Sequence, residues 1–156
     1  MISGYVTMLK TYEIEKIATK AKESGMVNGS MIPVWKDYDE IPQMTPQFIY
    51  LLTCAPACAK GPYLHTKRRG LLTLIEGSVR IVYQEEERGN FQELSLDAKE
   101  KAIMIDIPAG IGYLIVNTSQ TDSALLLNIC DYAWRKDDNE TVTPDFSLYH
   151  QQTKTS

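Results

Sequence analysis

The sequence predicts an all-β protein built as an antiparallel sandwich or barrel. Seven short segments between residues 47 and 130 are rich in Ile, Val, Leu, Tyr and Phe, and each has the length of a β-strand. Turn-forming residues separate these segments, and strands spaced about 8 to 12 residues apart are typical of antiparallel β-proteins. This spacing favours antiparallel strands over a parallel α/β sheet.

The predicted strands are, in chain order, 47–54, 71–75, 78–84, 91–95, 102–107, 112–117 and 123–130. Glycine and proline mark several of the intervening turns, including Gly61-Pro62, Gly70, Gly77 and Pro108-Ala109-Gly110. Residues 13–24 leave two alternatives open. The spacing of Ile14, Ile17 and Ala18 suits a helix, whereas the alternation of Lys and Glu suits an exposed strand.

Length and composition indicate one soluble globular domain. The chain has 156 residues, of which 44% are hydrophobic and 23% are charged. No repeat or linker divides it, so we expect residues 1–150 to form a single domain and residues 151–156 a mobile polar tail. No apolar run approaches the roughly 20 residues that cross a bilayer, and no secretory signal is visible, which makes the cytoplasm the expected location.

Charge and cysteine content exclude several classes of protein. A net charge of -4 argues against a general nucleic-acid binder, and the basic run Lys67-Arg68-Arg69 is local, which suits a small anionic ligand better than a polymer. Three cysteines are an odd number, so a disulfide framework is not expected. Cys54 and Cys58 are a weak zinc signal because no second pair accompanies them.

The segment AIMIDIPAGIGYLIVN, residues 102–117, resembles the second conserved motif of the cupin superfamily, whose core is Pro-x-Gly-x-x-His-x-x-x-Asn. Pro108, Gly110 and Asn117 fall on this pattern, and Tyr113 stands at the histidine position. The resemblance implies a cupin-type antiparallel β-barrel, which is a jelly roll of β-strands.

The first cupin motif is matched through its terminal glycine, Gly77. Counting back from it, the two histidine positions fall on Tyr63 and His65 and the glutamate position on Gly70. Metal-binding cupins present three histidines and one carboxylate to the ion, and this chain keeps one of those four ligands. Because a stable site needs at least three protein ligands, we predict no metal here, and no other cofactor.

Among metal-free cupins, the chain resembles the dTDP-4-dehydrorhamnose 3,5-epimerase family. Leu64-His65 is similar to the family's Gly-Leu-His segment, residues 107–117 to its Ile-Pro-x-Gly-x-x-His segment, and Cys130-Asp131-Tyr132 to the segment with its catalytic tyrosine. The resemblance implies a homodimer that acts on a nucleotide-diphosphate sugar, a 4-keto-6-deoxyhexose inverted at C3, C5 or both. Such an epimerase would serve deoxysugar or surface-polysaccharide biosynthesis.

Epimerisation next to a ketone needs a base, an acid on the opposite face and an anchor for the diphosphate. The resemblance implies His65 as the base and Tyr132 as the acid. If residues 63–69 are extended, alternation turns Arg68 away and places the other basic side chains beside His65, where they would keep it neutral and bind phosphate. The predicted substrate-binding residues are Tyr63, Lys67, Arg69, Tyr113 and Asn117.

Three departures from the family leave other functions open. Tyr113 replaces a second histidine and Gly70 replaces a lysine near the enolate oxygen, and in addition Pro62 stands where the family has an arginine ahead of the base. The nucleotide-sugar 3,4-ketoisomerases are a related group, whose proton-transfer pair lies at the positions of Tyr63 and His65, so ketoisomerisation is the main alternative. A catalytically inactive module that binds a sugar nucleotide is the other.

Overall fold

The computed structural model describes residues 8–37 and 41–154, the last four by their backbone. Almost all regular structure in these ranges is β. The strands β1 to β6 are Lys10–Ile14, Ile17–Lys20, Val27–Met31, Phe48–Cys54, Ala59–His65 and Gly70–Glu76. The strands β7 to β12 are Ser78–Gln84, Gln92–Asp97, Ala102–Ile107, Gly112–Asn117, Ala124–Cys130 and Thr141–Val142, and the helix α1 is Ser147–Lys154.

Two five-stranded sheets form the body of the protein. The first sheet has the strand order β1-β9-β6-β11-β4, and the second sheet has the order β12-β5-β10-β7-β8. All the strand pairs are antiparallel, and β2 and β3 pair separately as a hairpin. The predicted all-β, cupin-type antiparallel barrel is confirmed.

Hydrophobic side chains fill the space between the sheets and cover part of each outer face. The inner cluster includes Leu72, Ile81 and Ile105, all essentially inaccessible to solvent. On the outer face of the first sheet, Leu71 and Met104 pack against apolar side chains from residues 32–35 and 41–44. On the outer face of the second sheet, the residues Val82, Leu114, Phe91, Phe146 and Tyr149 pack together at the start of α1. Strand β6 is therefore buried on both faces, which explains why its sequence is hydrophobic from Leu71 to Ile75 apart from Thr73.

Each of the seven predicted strands corresponds to an observed strand, with ends that agree within about two residues. The structure adds β1, β2, β3, β5 and β12, whose sequences are too polar or too short to stand out. Residues 13–24 contain the end of β1, all of β2 and a turn, so the strand alternative is correct there and the helix alternative is wrong. Helix α1 extends into the segment predicted as a polar tail.

The described ranges contain no helix that is long and apolar enough to cross a membrane.

Candidate active site

A cavity of about 410 Å³ opens between the two sheets, where the edge strand β4 faces β5 and β10. Its walls are mostly aromatic and aliphatic, with two cations, one imidazole and one hydroxyl group from a threonine. The lining residues are Phe48, Tyr50 and Leu52 of β4, Lys60, Tyr63 and His65 of β5, Tyr113 and Ile115 of β10, and Arg68, Trp134 and Thr141 from connecting segments and β12. Apolar walls with a few converging polar groups are typical of small-molecule sites.

His65 is the last residue of β5 and is almost completely buried. Its Nδ1 lies 3.1 Å from Glu140 Oε1 and 3.0 Å from Thr141 Oγ1, and its Nε2 lies 3.2 Å from the Tyr113 hydroxyl. Because Thr141 donates its hydroxyl proton to Glu140 at 2.7 Å, both oxygens near Nδ1 are acceptors. We therefore assign the proton of the neutral ring to Nδ1, which leaves the Nε2 lone pair to accept from Tyr113.

Arg68 lies across the imidazole ring. Its Nη2 is 3.0 Å from both His65 ring nitrogens, and a single atom at equal distance from both lies over the ring rather than in line with either lone pair. The guanidinium Nε is 3.5 Å from Glu140 Oε1, and both side chains are buried. Its central carbon is 6.0 Å from the ring centroid of Phe48 and 5.9 Å from that of Tyr50, which are cation–π distances.

These neighbours keep His65 neutral at pH 7. Burial and the Arg68 cation both lower the pKa of His65 below its ordinary value of 6.5, while Glu140 opposes them. Burial also raises the pKa of the Tyr113 phenol far above its usual range. The site therefore holds an unprotonated imidazole nitrogen beside a phenol that retains its proton, which is the state that a general base and its hydrogen-bond donor require.

The cupin ligand positions converge as the sequence motifs predict. The ring centroids of Tyr63, His65 and Tyr113 lie 5.7 to 6.3 Å from one another. This set offers one imidazole and two phenols. Within residues 8–37 and 41–154, the structure brings together no group of three or more His, Cys, Asp or Glu side chains that could hold a metal ion.

Gly70, at the position of the fourth cupin ligand, lies against Asn128. A Cβ atom added to Gly70 would come within 2.8 Å of Asn128 Oδ1. Asn128 is held in place because its Nδ2 donates to the Tyr50 hydroxyl at 2.8 Å. Tyr50 therefore keeps its own proton available for donation, and it lies on the wall of the cavity opposite to His65.

The predicted extended run through residues 63–69 is wrong, because β5 ends at His65 and the chain turns before β6. The predicted alternation is consequently reversed: Arg68 lines the cavity, whereas Lys67 and Arg69 do not. Lys67 is exposed and lies 3.4 Å from Asp138. Arg69 forms a two-point ion pair with Asp106, at 2.8 and 2.7 Å.

Tyr132 and Asn117 also lie outside the cavity. The Tyr132 hydroxyl donates to Asp138, and the Lys67 ammonium lies 5.6 Å from the centre of its ring. Asn117 is buried, and its Nδ2 contacts three backbone carbonyls at 2.8 to 3.1 Å while its Oδ1 accepts from a backbone amide. The structure thus brings together His65, Tyr63 and Tyr113, and it separates them from the other four predicted site residues.

Arg68, Glu140 and Thr141 belong to the site, although they were not predicted from the sequence. Glu140 and Thr141 are distant from His65 along the chain, and β12 brings them close by pairing Thr141 with His65. The backbone amide and hydroxyl of Thr66 also donate to the Glu140 carbonyl, at 2.7 and 3.0 Å. Arg68 faces inward because the chain turns after His65 instead of continuing as a strand, and no sequence pattern marks this turn.

Comparison with known proteins gives a match in fold. No family model matches the sequence, and no curated protein matches it. A dTDP sugar isomerase from Desulfovibrio desulfuricans is similar with a TM-score of 0.74 and 19% identity, over 90% of this chain and 85% of that chain. A mutant 3,4-ketoisomerase from Thermoanaerobacterium thermosaccharolyticum, in complex with TDP-4-keto-6-deoxyglucose, has a TM-score of 0.67 and 15% identity over 94% of both chains.

A third solved structure, a 3'-monoepimerase from Streptomyces bikiniensis in complex with dTDP-quinovose, has a TM-score of 0.68 and 12% identity. The match covers 86% of this chain and 68% of that chain. At these identities the likeness shows the fold. The predicted resemblance to nucleotide-sugar cupins is thereby confirmed at the level of architecture.

Proposed function

We propose that this chain is an isomerase that moves protons on a nucleotide-linked 4-keto sugar, with His65 as the base. The observation that carries the proposal is the buried, neutral imidazole, whose Nδ1 is directed at Glu140 and whose Nε2 faces Tyr113 inside an aromatic cavity. The ligands and activities of the similar structures support the same class of substrate. Lys60 and the exposed Trp134 at the lining are suited to the phosphates and an aromatic base.

The proposed reaction begins at the carbon next to the ketone. His65 Nε2 removes the C3 proton, the electron pair of the C–H bond forms the C3–C4 double bond, and the carbonyl π pair moves onto O4. Glu140 stabilises the imidazolium that forms, through Nδ1. The Tyr113 hydroxyl, displaced from Nε2 by the substrate, is then available to donate to a sugar oxygen.

The proton on Nε2 exchanges with solvent, and its delivery to C4 completes a 3,4-ketoisomerisation, in which O3 loses its hydroxyl proton and O4 gains one. We favour this outcome because His65 and Tyr113 lie on one wall of the cavity, whereas the predicted epimerase acid, Tyr132, pairs with Asp138 outside it. Epimerisation at C3 is the second candidate. It is supported by Tyr50, whose phenol could protonate C3 from the opposite wall.

The test uses dTDP-4-keto-6-deoxyglucose in deuterated water, followed by NMR. We expect the ketone to move to C3, with deuterium in the product, and His65→Ala to abolish both. A product that keeps the ketone at C4 and has an inverted C3 would establish the epimerase instead. Tight binding without deuterium uptake would contradict both reactions and support a sugar-nucleotide-binding module.

We further propose that two copies pair through the outer face of β4. This strand lies at the edge of the first sheet, and Ile49 and Leu51 on its outer face are 58% and 61% exposed. Unpaired edges with apolar side chains favour association with another strand or surface. Because Tyr50 and Leu52 on the other face line the cavity, a second copy would hold one wall of the site in place.

A cytoplasmic location is proposed because Cys54, Cys58 and Cys130 are all free thiols.

A further inference from the structure

We propose that Arg68 holds O3 and O4 of the intermediate together, which restricts the chemistry to C3 and C4 and excludes C5. This inference rests on the proposed function and specifies its substrate: a sugar with a hydroxyl group on the carbon adjacent to the ketone. Arg68 lies within the first cupin motif, between His65 and Gly70, at a position to which the motif assigns no ligand.

The location of Arg68 relative to the base is the first reason. The Nη2 atom is 3.0 Å from His65 Nε2, the nitrogen that accepts the substrate proton. A carbon in contact with Nε2 carries its neighbouring oxygen atoms within a few ångströms, since each lies one or two bonds away. The oxygen on which negative charge develops therefore forms beside the guanidinium.

The second reason is that Arg68 is only partly engaged by the protein. Its Nε lacks a hydrogen-bond partner within the described part of the chain, and the nearest carboxylate oxygen, at 3.5 Å, also contacts His65 and Thr141. Its Nη2 contact with the imidazole lies over the ring, where no lone pair points. A buried guanidinium with unused N–H donors at the wall of a cavity is prepared to bind an anion.

The third reason is the shape of the group. A guanidinium is planar and presents parallel N–H bonds, which suit two oxygens on adjacent atoms, and it stays charged in a buried site. An intermediate between C3 and C4 has two such oxygens in one plane, the C3 hydroxyl and O4. An intermediate between C4 and C5 has O4 and the ring oxygen O5 on its double bond, but these two oxygens lie on opposite sides of that bond, so one guanidinium cannot bind both. Arg68 therefore stabilises the former more strongly, and it supplies the positive charge that the family's lysine provides where this chain has Gly70.

The experiment compares two substrates, dTDP-4-keto-6-deoxyglucose and its analogue without the C3 hydroxyl, by deuterium uptake in wild type, Arg68→Lys and Arg68→Met. In wild type we expect deuterium from solvent at C3 or C4 and none at C5. Loss of a donor to a developing oxyanion typically lowers the rate about 10²- to 10³-fold, and we expect this for Arg68→Met with the hydroxylated substrate. Arg68→Lys, which retains one point charge, is expected to lose the preference for the hydroxylated substrate.

A merely structural role for Arg68 would lower uptake with both substrates equally, and that result would overturn the inference. Uptake at C5 in wild type, or an unchanged rate in Arg68→Met, would overturn it as well. Arg88→Met, an exposed arginine outside this cavity, is the matched control, and thermal melting of each variant reports its folding. If wild type binds the sugar nucleotide and takes up no deuterium, the proposed function fails and this inference with it.

Discussion

Replacing Glu140 with glutamine tests the hydrogen-bond chain that activates His65. Glu140 is buried, and its Oε1 is 3.1 Å from His65 Nδ1 and 2.7 Å from the Thr141 hydroxyl. The amide of glutamine has nearly the same shape and can still accept from Nδ1, so the neutral state of His65 keeps its orientation. The protonated state loses its negative partner.

The magnitude follows from that difference. A hydrogen bond to a charged group contributes about 1.5 to 3 kcal/mol, and about 1.4 kcal/mol corresponds to a tenfold change in rate. Because the charged pair exists only after His65 has taken the substrate proton, we expect kcat to fall roughly ten- to hundredfold while KM changes little.

The sign of the pH effect is also fixed by the structure. Glu140 raises the pKa of His65, against the lowering by burial and Arg68, so its removal lowers that pKa further. The acid limb of kcat/KM, which reports protonation of His65 in the free enzyme, should move to lower pH in Glu140→Gln. Because the unfolded chain binds the His65 proton more readily than the folded chain, the free energy of unfolding decreases as the pH falls below 6.5, until the pKa of folded His65 is reached. In Glu140→Gln that pKa is lower, so we expect this decrease to continue to a lower pH.

Deuterium uptake by the sugar and NMR titration of the His65 ring measure these effects. Glu13→Gln is the control, since Glu13 lies on β1 outside the cavity and forms an exposed ion pair with Lys101. An unchanged or raised pKa of His65 in Glu140→Gln would refute the assignment of Glu140 as its electrostatic partner. A raised KM with unchanged kcat would show that Glu140 acts in binding.

Three further predictions concern other parts of the molecule. Tyr113→Phe should reduce deuterium uptake about tenfold or more because it removes the donor at His65 Nε2, whereas Tyr132→Phe should leave uptake near wild type. A larger loss of uptake in Tyr132→Phe than in Tyr113→Phe would restore Tyr132 as the acid. Leu51→Glu should convert a dimer to a monomer in light scattering, and Ser95→Glu, exposed on edge strand β8, should not; a Leu51→Glu dimer would contradict pairing through β4. Asp106→Asn should lower the free energy of unfolding in urea by about 1.5 to 3 kcal/mol through the loss of the pair with Arg69, and a change below 0.5 kcal/mol would contradict this.

The fold was largely predictable because each apolar strand of a barrel can be recognised from its own stretch of sequence. Strands such as β9 and β10 consist mainly of aliphatic and β-branched residues between clear turns, so their sequence identifies them without knowledge of their partners. The hairpin strands β2 and β3 are mostly polar and exposed, and pairing with each other is what makes them strands.

The site was less predictable because it depends on contacts between distant segments. His65 could be identified from a motif, and so could the convergence of Tyr63 and Tyr113. Glu140 reaches His65 only because a two-residue strand, β12, pairs with the end of β5. Neither that pairing nor the turn that brings Arg68 inward has a pattern in the sequence.

The contact between Gly70 and Asn128 limits how the chain can change. A lysine at residue 70 would place its Cβ within 2.8 Å of Asn128 Oδ1, so Asn128 must turn away, which breaks its hydrogen bond to Tyr50, or be replaced by a smaller residue. That second change alone would leave the Tyr50 hydroxyl without its donor. Each single step is therefore unfavourable before the other, and this epistasis opposes a lysine at residue 70. Arg68 provides a cation at the cavity wall without any change at residues 70 and 128.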